Sequence, residues 1–319
     1  MQEFDIIRKY FSKLAKKNKS ALNLNDDVFF DKSRELIISI DSYNEGIHFP
    51  NFKNPSLIIK KILRSSISDL ICKGVKPRYY FISASGNKKN FIKKKLEEIS
   101  KSLLEEQKKY DIKLCGGDTS FSNRLNFTIT VVGFSKKIIF RNNAKVYDDI
   151  YVTGNLGDSY MGLQIINGKI KLKKKESDYY LQKYYKPDIQ IELTKKLFKF
   201  CNSSIDVSDG LFADLEKLIN KQKLNYQIHL QKIPISNKLT ILNSRLRLSK
   251  IKLISNGDDY QILFTANKQK LRIIKKISNE LGVKITKIGQ ILPSFQKSQI
   301  ISENGNIIRL KNKGYIHQF

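Results

Sequence analysis

The stretch SIDVSDG, residues 204–210, closes a strand-like run over 203–207 and opens a helical one at Gly210, placing two carboxylates, Asp206 and Asp209, in the turn between them. A strand that feeds a helix through an acidic turn is the local grammar of α/β folds, whose sites are assembled from such loops. The same arrangement recurs along the chain. Asp41 follows the strand-like ELIISI at 35–40, and Asp118 follows a strand at 111–115 in CGGDTS. Asp258 and Asp259 precede a strand at 260–265 in SNGDDY, Asp69 lies near the end of a helical run in ISDL, and Asp26 and Asp27 sit in NLNDDVF. Any one of these reads as a turn or cap residue, because aspartate readily bonds nearby backbone. Six such motifs together point further. Carboxylates that converge on one cleft repel unless cations lie between them, and hard oxygen ligands of this kind suit several Mg²⁺ ions shared with phosphate oxygens.

Around these turns helical and strand patterns alternate. Residues 2–17 carry Phe4, Ile7, Tyr10, Phe11 and Leu14 at helical spacing. Pro55 opens a helix that runs to about Lys73, with Gly74 as its stop. Strands are expected over 78–84 and 125–134, the latter alternating in LNFTITVVGF, with a charged helix over about 88–109 between them. Beyond a turn at Asn142 and Asn143 comes a second series: a strand at 149–153, a helix from about 158, a Lys-rich connection and a helix at 188–200. Strands near 226–230, 285–291 and 298–301 close the chain. The expected class is α/β (α+β) in two domains, 1–145 and 146–319, since domains run to roughly 150 residues.

Composition narrows the function. The 319 residues are 40% hydrophobic, and no apolar run approaches the ~20 residues of a membrane span. The opening MQEFDIIRKYFSKLAKK is amphipathic and lacks the apolar core and cleavage site of a signal peptide. Cys72, Cys115 and Cys201 are few and far apart, as expected of reduced thiols. A cytoplasmic protein with no membrane partner is expected. The net charge of +29 raises nucleic-acid binding. The lysines, however, are spread over the whole chain while the aspartates cluster, the reverse of what a nucleic-acid groove needs, so no nucleic-acid partner is expected. Neither a phosphate-binding P-loop nor a dinucleotide fingerprint is present.

Gly116 and Gly117 before Asp118 let backbone N–H groups approach an anion, and Arg141 offers a planar fork for phosphate oxygens. The strings SIDSYNEGIHF (39–49), SDLICKGVKP (68–77), GGDT (116–119), IYVTGNLGDSYMGL (150–163), IDVSDGLFADL (205–215), NGDDYQILF (256–264) and GYIHQF (314–319), in this order, resemble the thiamine-monophosphate kinases. The first two correspond to that family's S-T-D-x-L-V-x-G-x-H-F and S-D-L-A-A-M-G-A-x-P. The resemblance implies a two-domain fold shared with aminoimidazole ribonucleotide synthetase, and a homodimer built on the N-terminal sheet. It also implies transfer of the ATP γ-phosphoryl group to thiamine monophosphate. By the same resemblance Asp27, Ser39, Asp41, Asp69, Asp118, Asp206 and Asp209 form the magnesium shell; Gly117, Asp118, Arg141 and Ser208 meet ATP; and His48, Asp258 and Tyr315 meet the acceptor. Asp209, Asp118 and Arg141 are the expected catalytic groups.

The chain departs from the pattern at Asn23 and Asn25, where glycines are expected, at Ile40 for Thr, at Ser66 for Asn and at Asp258 for Glu. A selenophosphate synthetase would need a reactive cysteine near its start, whereas the first here is Cys72 inside a helix pattern. An aminoimidazole ribonucleotide synthetase would lack the G-x-H-F string and the terminal G-Y.

Overall fold

In the computed structural model, residues 3–310 and 313–315 are described, Phe4 by its backbone alone. Strands β1 (Phe29–Asp31), β2 (Leu36–Asn44), β3 (Pro77–Gly86), β4 (Lys113–Phe121) and β5 (Asn126–Phe134) form one sheet in the order β1-β2-β5-β3-β4. Strands β6 (Asp149–Thr153), β7 (Cys201–Asp206), β8 (Leu224–His229), β9 (Ile262–Ala266), β10 (Ile285–Pro293), β11 (Gln299–Ile301) and β12 (Ile307–Ile308) form the other, in the order β12-β11-β8-β10-β6-β9-β7. The mixed class read from the sequence is borne out.

The helix Pro55–Cys72 joins the two sheets. Pro55 starts it, and Gly74, at φ +80, ends it with N–H bonds from Gly74 to the Ile71 carbonyl and from Val75 to the Leu70 carbonyl. It is buried on nearly every side, so one continuous apolar cluster runs from Ile37, Ile62 and Val131 of the first half to Tyr184, Leu197 and Phe264 of the second. A helix buried all round packs against partners on more than one face. Here these include β2 and β5 on one side and β7 with the helix Lys174–Tyr185 on the other.

Several elements differ from the sequence reading. β2 continues past Asp41 to Asn44, so Asp41 lies within the strand. The supposed Lys-rich connection contains the helix Lys174–Tyr185, which buries Tyr180, Tyr184 and Tyr185 beneath its lysines. The run at 188–200 is a 3₁₀ helix, Ile191–Lys199. Helices Asn237–Leu246 and Leu271–Leu281 were not anticipated. The N-terminal helical run is interrupted by a π turn over Ile7–Phe11, and Tyr10, Phe11 and Leu14 face solvent. Gln2 and the Phe4 side chain, part of that expected helix, lie outside the described residues.

The largest correction concerns GGDT. It is not a loop after a strand: β4 runs through it, pairing parallel to β3 past a bulge at Tyr80 and Phe81. A Cβ on Gly117 would stand 1.8 Å from the Ile82 carbonyl oxygen, so the missing side chain serves strand approach. Gly117→Ala is therefore expected to loosen the β3–β4 edge and cost about 1–3 kcal/mol of stability. Denaturant unfolding checks this; an unchanged midpoint would contradict it.

Candidate functional site

Two acidic loops are zipped together by main-chain bonds. The Tyr260 N–H donates to the Val207 carbonyl, the Val207 N–H to Gln261 and the Asp258 N–H to Ser208, each at 2.8 Å. The approach requires glycine at Gly257, which holds φ +66 and where a Cβ would lie 2.0 Å from the Ser208 oxygen. Ser208, Asp209 and Asp258 are thereby set side by side. Asp214, fully buried within the helix Leu211–Ile219, accepts the N–H groups of Asp209 and Gly210 at 3.0 Å each, which ties the acidic turn back to the helix and fixes it. Burial pushes its carboxyl up to about 7, against the opposing pull of Lys217.

The predicted acids other than Asp118 and Asp258 gather beside this turn. Asp206, at the end of β7, accepts from the Ser68 hydroxyl; Asp69 accepts from Ser39; Asp41 accepts from the Tyr43 hydroxyl at 3.1 Å. Burial raises the pKa of all three, and mutual repulsion adds to it: Asp41 and Asp206 both raise Asp69, and Asp209 raises Asp41. Asp209 pairs with Lys217. Deeper in, Lys73 reaches Asp26 at 2.7 Å and Asp27 at 2.9 Å, and Arg141 grips Asp27 through two nitrogens. Arg141 is thus a buried anchor of the acidic site and not a surface arginine.

Asp26, Asp27, Asp41, Asp69, Asp206, Asp209 and Asp214 sense one another or the same cations, and Lys73, Arg141 and Lys217 are the bases seen to oppose them among the described residues. Among the described residues no three acidic, imidazole or thiol groups are drawn tightly enough together to grip one ion, because each acid is turned to a hydroxyl or a base. The donor set nevertheless fits divalent cations. Asp41, Asp69 and Asp206 are hard oxygen donors whose hydroxyl partners bring no charge, so a cation among them would relieve the repulsion recorded in their raised pKa values.

A second cluster faces the acids across the zipped loops. The ammonium of Lys61, a residue of the Pro55–Cys72 helix, meets Asp258 at 2.6 Å and lies 4.0 Å from the Tyr184 ring centroid. The Tyr260 hydroxyl donates to the same Asp258 oxygen at 3.0 Å. The Tyr184 hydroxyl donates to the His48 carbonyl at 3.3 Å, and His48 Nδ1 accepts the Asn44 N–H at 2.9 Å. His48 and Asp258 therefore share one neighbourhood. The adjacent Asp259 plays a different part, accepting the Gly157 N–H at the head of the helix Asp158–Ile166. The Tyr315 N–H donates to the Asp209 carbonyl at 2.9 Å, which brings the main chain of this half-exposed residue beside the acidic turn. The last four residues of GYIHQF lie outside the described residues.

Asp118 is the exception. Register places Ser42, Thr128, Ser83 and Asp118 in one row across the sheet. That row lies on the face opposite the buried Ser39 and Tyr43. With three strand spacings between β2 and β4, Asp118 stands about 14 Å from the Asp41 strand. Sequence reading named Asp26 beside Asp27 without giving it a role, and it missed Lys61, Lys73, Asp214 and Lys217. Of these four, Asp214 had a visible signal, since it lies within the IDVSDGLFADL string.

Residues 24–135 match the family described as AIR synthase related protein, N-terminal domain. A thiamine-monophosphate kinase of Buchnera aphidicola subsp. Acyrthosiphon pisum is 34% identical, the alignment covering 99% of this chain and 98% of that protein. One of Escherichia coli K12 is 30% identical over 99% and 98%. A solved structure described as AaThiL complexed with AMPPCP and TMP superposes with a TM-score of 0.85 at 25% identity, covering 99% of this chain and 97% of that one.

Proposed function

The chain belongs to the thiamine-monophosphate kinase family, and on that basis we propose how its residues divide the work of moving a phosphoryl group from ATP to thiamine monophosphate, giving ADP and thiamine diphosphate. The observation that carries the reading is the excess of carboxylates over bases where the Asp206–Gly210 turn, β2 and the Pro55–Cys72 helix meet. The acceptor oxygen of a phosphate monoester is already an anion, so no general base is required. What must be overcome is repulsion between two anions. Mg²⁺ ions would screen that repulsion and stabilise charge on the transferring group. Asp41, Asp69, Asp206 and Asp209 are the acids that would hold them, with the Ser39 hydroxyl orienting Asp69. Ser208 and Arg141 are the residues that would meet the nucleotide. Asp258, His48 and Tyr315 bind and orient the acceptor, and transfer is direct and in line.

Asp118 and Gly117 enter through a second copy. All nine residues of β4 are exposed, and the outer face of its sheet shows Ile40 at 65% and Phe81 at 41% exposure. An unpaired edge beside an apolar face calls for a cover. A homodimer across this face supplies one, and it lets Asp118 of one copy approach the acids of the other. The division at 145/146 separates the sheet that dimerises from the one that completes the site. The protein is read as cytoplasmic; among the described residues no helix is long and apolar enough to cross a membrane. Phe81→Glu is expected to turn a sedimenting dimer into a monomer and to lower turnover at least tenfold. A wild type that turns over as a monomer would contradict the dimer.

The activity itself is tested by incubating the chain with ATP, Mg²⁺ and thiamine monophosphate and following thiamine diphosphate by chromatography. Product is expected. Absence of product at every magnesium and acceptor concentration would overturn the reading.

A further inference from the structure

Lys73 is the C-cap residue of the Pro55–Cys72 helix, and its side chain is 0% exposed. A buried ammonium is costly unless each of its three protons finds an acceptor. Here the acceptors are Asp26 Oδ1 at 2.7 Å, Asp27 Oδ2 at 2.9 Å and the Ser204 carbonyl at 3.0 Å. The acids are equally committed. Asp26 Oδ1 also accepts the Asp27 N–H at 2.8 Å, and its Oδ2 accepts the Arg141 N–H at 3.0 Å. Both Asp27 oxygens are met by the Arg141 guanidinium, through Nε and Nη2. Every carboxylate oxygen of the pair therefore faces an N–H, and two negative charges meet two positive ones. The neighbouring acids differ. Asp69, Asp206 and Asp41 accept from the neutral hydroxyls of Ser39, Ser68 and Tyr43, and Asp69 and Asp206 feel Lys73 only as a charge that does not bond to them.

We propose that Lys73 is the resident cation of the Asp26–Asp27 pair, so that this pair holds no divalent ion and the metal shell is confined to Asp41, Asp69, Asp206 and Asp209. The inference rests on the kinase reading of the site and removes Asp27 from the magnesium shell that the family resemblance implies. Its physical basis is competition for the same oxygens. A divalent ion at Asp27 would have to displace the Lys73 ammonium, 2.9 Å away, and a guanidinium held through two nitrogens. A tethered ammonium also needs no recruitment from solution, so the inner end of the site stays organised when divalent ions are scarce.

Bound Mn²⁺, counted by electron paramagnetic resonance of the free ion in titrations of the full-length chain, tests the proposal without relying on turnover. Asp27→Asn is expected to bind as many ions as the wild type, and Asp69→Asn to bind fewer. Lys73→Met is expected to gain one ion, and its melting temperature, unlike that of the wild type, to depend on that added ion. Loss of an ion in Asp27→Asn overturns the proposal, as does a Lys73→Met count no higher than wild type. If Lys73→Met fails to fold, the Asp27→Asn and Asp69→Asn counts decide alone. If neither of those variants changes the count, the metal-centred reading of the whole site fails, a result distinct from Asp27 proving to be a ligand.

Discussion

Asp209→Asn is expected to lower kcat by about a thousandfold while the chain keeps its fold, since loss of one preorganised group that stabilises transition-state charge has effects of that order. Asparagine matches aspartate in size. The local turn does not depend on the Asp209 carboxylate, because Asp214 takes the Asp209 and Gly210 N–H groups and the Tyr315 N–H meets the Asp209 carbonyl. What the substitution removes is one negative charge, while the ion pair between Lys217 and Asp214 remains. Steady-state kinetics with a melting curve on the same preparation check both halves. Near-normal turnover would show that Asp209 holds nothing essential, and a collapsed melting temperature would show that it is a structural residue.

Gly257→Ala is expected to damage stability and activity together. An L-residue at φ +66 costs about 1–2 kcal/mol. A Cβ 2.0 Å from the Ser208 oxygen and 2.7 Å from the Asp209 carbonyl carbon must then push the two acidic loops apart, for about 1–3 kcal/mol more. That displacement moves Ser208, Asp209 and Asp258 at once, and a misplacement of about 1 Å can cost a hundredfold in rate. The expected signature is a lower unfolding midpoint with kcat reduced for every acceptor concentration. A variant that melts early but turns over normally would mean that the zipped loops are not what positions the acids.

The contrast between what the residues revealed and what they hid follows from the range of the interactions. The helix from Pro55 to the Gly74 stop was legible because its signals, a proline at the start and a glycine with left-handed φ at the end, act within a few residues. The SIDVSDG and NGDDY turns were legible for the same reason. The face and neighbours of Asp118 were not, since they depend on a bulge between Tyr80 and Phe81 and on strand order. The helix Lys174–Tyr185 was hidden by its own lysines, whose charge masked the spacing of Tyr180, Tyr184 and Tyr185. Lys61 and Lys73 were hidden by number: among 59 basic residues nothing local marks these two as buried. Arg141 was anticipated at the site, but its grip on Asp27 joins residues 114 apart in the chain and has no local trace.

This chain's own aspartates are proposed to hold cations beyond the one that accompanies ATP. The proposal is tested most directly by measuring thiamine diphosphate formation as free Mg²⁺ is raised past the point where all ATP is complexed. The account predicts that the wild-type rate keeps rising beyond that point and that Asp209→Asn needs far more Mg²⁺ to reach its own, lower plateau. A rate that saturates as soon as ATP is complexed, with the same magnesium dependence in both proteins, would contradict it.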